Sequence, residues 1–63
     1  MGAYEREGYQ FEVEFSQVQQ KGAMHVYKNG EYKQELPFYF QGHFPNNDQM
    51  EELIEQYLSS NRQ

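Results

Sequence analysis

The chain has no cysteine among its 63 residues. A disulfide framework and a thiolate metal site are therefore both excluded. A domain of about 60 residues buries only roughly 60% of the surface that its unfolded chain exposes, so its core is small and its stability marginal. The aromatic residues, all of them phenylalanine or tyrosine, make up 17% of the chain. We interpret this aromatic content as compensation for the small size, since each ring buries a large apolar area.

Positive charge is also scarce in this sequence. Five lysine and arginine residues stand against ten aspartate and glutamate residues, which gives a net charge of −5. The cations are scattered, whereas a phosphate-binding surface needs clustered cations that release counterions. The composition therefore argues against direct nucleic-acid binding and, for the same reason, against binding to an anionic membrane.

Long apolar runs and catalytic motifs are missing as well. No stretch approaches the roughly 20 residues of a membrane span, and the polar segment 1–8 lacks the pattern of a signal peptide. The sequence contains no Gly-rich phosphate loop, no Ser-His-Asp order and no cysteine nucleophile. We therefore expect a cytoplasmic protein that is not an enzyme, holds no cofactor and does not enter a membrane.

Two hydrophobic periods follow one another along the chain. Residues 9–16 alternate between apolar and polar side chains, which is typical of a half-buried strand. Residues 46–59 carry an apolar stripe with the spacing of one helical face, formed by Met50, Leu53, Ile54, Tyr57 and Leu58. We predict a single domain over residues 1–63, with a flexible segment 1–8, a sheet over 9–42 and a helix over 46–59.

The predicted helix begins at a capping residue. Asn46 is a suitable N-cap, and Gln49 stands three residues later, where a glutamine can complete a capping box. This pattern predicts that the two side chains satisfy free N–H groups of the first turn.

The pair Asn29-Gly30 is the strongest turn signal in the sequence. A two-residue loop at this pair would place Val26 opposite Lys33, so that apolar and charged side chains share one side of the sheet. A three-residue loop over 28–30 shifts the pairing by one residue and places Val26 opposite Tyr32. Because burial selects the register that gathers apolar side chains, we predict the three-residue loop.

These elements predict an α+β fold, a three-stranded antiparallel β-meander with one C-terminal amphipathic helix packed on one face, in the order β-β-β-α. Pro37 lies in the third strand, which implies a sheet edge, a bulge or a break at that point. The predicted core comprises Phe11, Val13, Phe15, Met24, Val26, Leu36, Phe38, Phe40, Met50, Leu53, Ile54, Tyr57 and Leu58.

A single helix covers only one side of a sheet, so the other side is expected to face solvent. The candidate partner-binding residues on that side are His25, Tyr27, Lys33, Glu35 and Tyr39. Tyrosine is favoured at interfaces because it combines an apolar ring with a polar tip, although ordinary surface tyrosines would give the same pattern. The first hypothesis is therefore a small non-catalytic protein-interaction module, or a self-associating domain, that uses the open sheet face and the edge strand. Its partner would be another protein or a second copy.

Two alternatives belong to other functional classes. The excess of carboxylates suggests an acidic mimic of nucleic acid, provided that the carboxylates are spaced like phosphates along one surface. A small-ligand binder or enzyme would work around His25, Glu12 and Glu14. His25 and His43 are the only histidines, and no third ligand stands at a metal-binding spacing, so no metal site is expected.

Overall fold

The computed structural model describes residues 2–61, and Met1, Arg62 and Gln63 lie outside it. Within these residues, four strands form one antiparallel sheet in the order β1-β2-β3-β4, followed by a helix. The strands are β1 (Gly2–Arg6), β2 (Tyr9–Ser16), β3 (Lys21–Lys28) and β4 (Glu31–Tyr39), and the helix is α1 (Asn47–Asn61).

The α+β class agrees with the prediction, but the three-stranded count is wrong. The segment predicted to be flexible contains β1, which pairs with β2 in a register that places Tyr4 opposite Phe11. Glu7 and Gly8 join these strands with φ values of 53° and 84°, the left-handed conformations of a tight two-residue turn. Residues 1–8 show little hydrophobic alternation of their own, and β1 forms because its backbone pairs with that of β2.

The predicted three-residue hairpin loop is also wrong. Lys28 pairs with Glu31, so the loop has two residues, Asn29 and Gly30, with φ values of 53° and 79°. Positive φ at both central positions is typical of the turn that matches the right-handed twist of paired strands.

A β-bulge reconciles this short loop with the hydrophobic pattern. Tyr27 pairs with Tyr32, but the next pair is Val26 with Gln34, so Lys33 is an extra residue on β4. The extra residue reverses which side of the sheet each later side chain of β4 faces, so Leu36 lies opposite Met24 on the apolar side. Tyr32 lies before the bulge and pairs with Tyr27, so the predicted pairing of Tyr32 with Val26 is wrong.

The core lies between one side of the sheet and α1. Its buried members are Phe11, Val13, Met24, Val26, Phe38, Phe40, Met50, Ile54, Tyr57 and Leu58, all of which were predicted. Phe15, Leu36 and Leu53 are partly buried and pack against this cluster, together with Tyr4 and Tyr9. The Tyr57 ring meets the rings of Tyr9 and Phe11 edge to face, at centroid distances of 5.4 and 5.9 Å.

The N-terminus of α1 confirms the predicted N-cap. The Asp48 N–H donates to Asn46 Oδ1 at 2.6 Å, which satisfies one free donor of the first turn. The predicted capping box is wrong, since Gln49 Nε2 instead donates to the carbonyl oxygen of Tyr39 at 2.6 Å. Gln49 thus ties the start of the helix to the end of β4.

Polar contacts also join α1 to β1 at the opposite edge of the sheet. The Tyr4 hydroxyl donates to Asn47 Oδ1 at 2.7 Å, and the Arg6 guanidinium lies 2.6 Å from a Glu51 carboxylate oxygen. The helix is therefore held at both edges of the sheet, and this placement determines which side of the sheet stays uncovered.

Candidate functional site

The candidate site is the side of the sheet that faces away from α1, which we call the open face. Side chains alternate between the two sides of a strand, so the neighbours of core residues belong to this face. They are Ala3, Glu5, Gln10, Glu12, Glu14, Ser16, Lys21, Ala23, His25, Tyr27, Tyr32, Glu35, Pro37 and Tyr39.

Four of the five predicted partner-binding residues share the open face. His25 and Glu35 are directly opposite each other, and Tyr27 and Tyr39 lie further along the same two strands. Lys33 is separated from them, because its ammonium lies 3.6 Å from the Glu31 carboxylate. Glu31 is paired with Lys28, whose ammonium lies over the ring of Tyr9 on the core side.

Three rings form an aromatic cluster at one end of the open face. Tyr27 and Tyr32 are in edge contact with centroids 5.6 Å apart, and the His25 ring lies 6.3 Å from Tyr32. Tyr32 is 51% exposed, so the cluster presents apolar area to solvent. Sequence reasoning missed Tyr32 as a site residue because the choice of a three-residue loop placed it on the core side.

Carboxylates surround His25 on the open face. Its Nε2 lies 3.0 Å from Glu14 Oε2, and Glu12 and Glu35 flank it in the sheet register. With Glu5, the face carries four glutamates, whereas its basic side chains are Lys21 and His25. The open face therefore favours groups of positive charge.

A groove of about 590 Å³ crosses the open face towards the end away from the aromatic cluster, where Lys21 and Tyr39 are paired. Side chains of the open face that line it include Glu14, Lys21, Ala23, Glu35, Pro37 and Tyr39. Tyr39 is 79% exposed. The groove thus combines carboxylates with aromatic and small apolar surface, which is a combination suited to binding a side chain of a partner.

The two histidines lie in separate parts of the structure. No group of three or more histidine, cysteine, aspartate or glutamate residues within residues 2–61 could hold a metal ion. His43, in the segment between β4 and α1, contacts the side chain of Gln17 in the β2–β3 turn, whereas His25 contacts Glu14. Burial raises the pKa of the Tyr57 phenol above its ordinary value, with a smaller contribution from Tyr9, but both residues belong to the core side.

Comparison with known proteins identifies the family. The model of the family DUF5370, described as a family of unknown function, matches residues 1–63. The chain belongs to this family. It is also 53% identical over 57 residues to the uncharacterized protein YbxH of Bacillus subtilis (strain 168), a match that covers 90% of each chain. No solved structure matches the chain. The function of this family is unknown.

α1 has 15 residues, and no helix within the part of the chain that the structure describes is long and apolar enough to cross a bilayer.

Proposed function

We propose that this protein is a small, non-catalytic interaction module of the cytoplasm that binds another protein through its open face. The observation that carries the proposal is the aromatic cluster of His25, Tyr27 and Tyr32, which lies outside the core that α1 covers. Tyrosine rings on a rigid sheet lose little conformational entropy on binding and supply both apolar area and a hydroxyl.

The charge of the open face favours a different protein over a second copy. Two copies stacked face to face would oppose four glutamates with another four, and such like-charge contacts cost several kcal/mol when water is removed. The same carboxylates repel a phosphate backbone, which supports the expectation that the protein does not bind nucleic acid directly.

The edge strand β4 is a weaker candidate for the contact. Its bulge at Lys33, its proline at position 37 and its charged side chains are devices by which natural sheets prevent strand addition. Pro37 also lacks the N–H that a paired position would use. We therefore place the partner on the face of the sheet instead of its edge.

The nucleic-acid mimic receives no comparable support. Glu12, Glu14 and Glu35 lie on the open face, whereas Glu51, Glu52 and Glu55 lie on α1, on the other side of the sheet. Glu51 is moreover paired with Arg6. A mimic needs its carboxylates in one phosphate-like row.

The proposal is tested by capturing a partner from cells that express the protein, identifying it, and measuring its affinity for purified variants by calorimetry. The variant Tyr27→Ser with Tyr39→Ser should weaken binding by about tenfold or more, because truncating an interface hot spot costs about 2 kcal/mol or more and tyrosine is enriched at such positions. Phe44→Ser is a matched control, since Phe44 is 69% exposed but lies in the crossover before α1. This control should bind within about twofold of wild type.

Two results would count against the proposal. One is the absence of any captured protein that binds the purified chain directly. The other is a partner whose affinity is unchanged by the double tyrosine substitution but reduced by Phe44→Ser. Circular dichroism of each variant distinguishes a lost contact from a lost fold.

A further inference from the structure

The groove on the open face has a small residue at its base. Ala23 of β3 lies between Glu14 of β2 and Pro37 of β4 in the sheet register, and it is only 7% exposed. Its neighbours carry longer side chains, so the methyl group forms the floor of a depression with walls on both sides. A depression of this kind accepts one extended side chain more readily than a flat aromatic surface does.

The groove is acidic at one end. Glu14 and Glu35 both line it, and the Glu14 carboxylate is held by His25 at 3.0 Å. The two glutamates stand two strands apart and two residues apart along the strands. Their Cα atoms are therefore separated by about 10 Å across the sheet and about 7 Å along it. Both side chains border the same stretch of the groove, so a guanidinium placed there is attracted by both carboxylates.

The other end of the groove is aromatic and carries one cation. Tyr39 and Lys21 line this end, one side-chain step beyond Pro37. A tyrosine ring stacks well on a guanidinium plane and on the apolar stem of an arginine. Lys21 repels a second positive charge, so the cation of a ligand is directed towards Glu14 and Glu35.

We propose that the open-face groove binds an arginine side chain presented by a basic segment of the protein partner. The arginine stem lies on Ala23 beside Pro37 and Tyr39, and its guanidinium lies between the carboxylates of Glu14 and Glu35. This inference rests on the proposed function and states the chemistry of the partner. The carboxylates alone would not define a site, but the groove between them gives the cation a defined position and depth.

A peptide titration followed by NMR tests the groove without the natural partner. The probes are the blocked pentapeptide Ala-Gly-Arg-Gly-Ala and the same peptide with lysine or glutamine at the centre. The arginine peptide should cause saturable shifts of the Ala23 and His25 amides, the lysine peptide should bind more weakly, and the glutamine peptide should cause no saturable shift. Equal binding of the glutamine peptide, or no saturable shift with the arginine peptide, would overturn the proposal.

Charge-removing variants extend the test to the whole partner. Glu14→Gln with Glu35→Gln should weaken the arginine peptide and the captured partner by about tenfold, since each exposed charge pair contributes up to about 1 kcal/mol. Glu52→Gln with Glu55→Gln removes the same charge from α1 and should change affinity by less than about twofold.

The outcomes separate this inference from the function on which it rests. A partner that depends on Tyr27 and Tyr39 but is unaffected by Glu14→Gln with Glu35→Gln would leave the interaction module intact and overturn the arginine site. If the wild-type chain captured no partner and the arginine peptide caused no saturable shift, the interaction module and the arginine site would both be overturned.

Discussion

Replacement of Gly22 by alanine should destabilise the protein, because a Cβ atom has no room at this position. Gly22 lies on β3 between Phe15 and Phe38 in the sheet register. An added Cβ would collide with the carbonyl oxygen of Glu14. It would also lie 2.8 Å from Phe15 Cβ and 2.8 Å from the ring atom Cζ of Phe38. The missing side chain of Gly22 thus provides the space in which the Phe38 ring packs.

The expected loss follows from these contacts. Overpacking in a well-packed core costs about 1–3 kcal/mol, and a backbone oxygen cannot move without disturbing the β2–β3 pairing. Alanine reduces the entropy of the unfolded chain, which offsets about 0.4–1 kcal/mol. The middles of these two ranges leave a net loss of about 1.3 kcal/mol. Against a total of roughly 3–9 kcal/mol for a chain of this length, that loss is a substantial fraction.

Urea unfolding followed by circular dichroism measures this loss as a lower midpoint at constant slope. Gly8→Ala is the matched control, because Gly8 has a φ of 84° but no atom lies within 4 Å of the position that an added Cβ would take. That control reports the strain of a positive φ without crowding, and Gly22→Ala reports crowding without a positive φ. If Gly22→Ala kept wild-type stability within about 0.5 kcal/mol, the packing of Phe38 over Gly22 would be refuted.

Three further predictions concern the helix and its contact with the sheet. Ile54→Ala removes a fully buried side chain and should cost about 2–5 kcal/mol; a thermal transition within a few degrees of wild type would contradict this. Asn46→Ala removes the acceptor for the Asp48 N–H and should lower the free energy of unfolding in urea by about 0.5–2 kcal/mol, whereas Asn46→Asp should retain most of it. Equal losses for both variants would show that the cap contributes nothing. Burial raises the pKa of Tyr57 in the folded state, with Tyr9 contributing less, so the folded chain keeps a proton that the unfolded chain loses near pH 10. Stability from this shift is complete below about pH 10 and is lost as the pH rises further. The urea midpoint of Tyr57→Phe should therefore fall less steeply than that of wild type between about pH 9 and 11, and parallel curves would argue against the shift.

The helix and the core could be predicted because their patterns are local. The stripe from Met50 to Leu58 can bury its apolar side chains only as a helix, and every residue of that stripe contacts the core in the structure. The N-cap Asn46 was predictable for the same reason, since it depends only on the residues that follow it.

The composition of the candidate site could be predicted only in part. His25, Tyr27, Glu35 and Tyr39 follow from alternation along two strands, so their shared face was accessible from the pattern. The place of Tyr32 was not, because it depends on the two-residue turn, which fits the hydrophobic pattern only with the bulge that follows it at Lys33. Lys33 was misplaced by the same bulge.

The amino-acid sequence by itself determined the α+β class, the buried face of each long element and the acidic character of the surface. These properties depend on periods of two and 3.6 residues and on simple charge counts, which need no knowledge of distant neighbours. Only the tertiary structure decided that residues 2–6 form a strand, that Asn29 and Gly30 make a two-residue turn, and that Glu14, Ala23 and Glu35 border one groove. Each of these depends on pairing between strands. The local conformational preference of a short segment is weak, and the free energy gained by burying the whole sheet against its helix outweighs it.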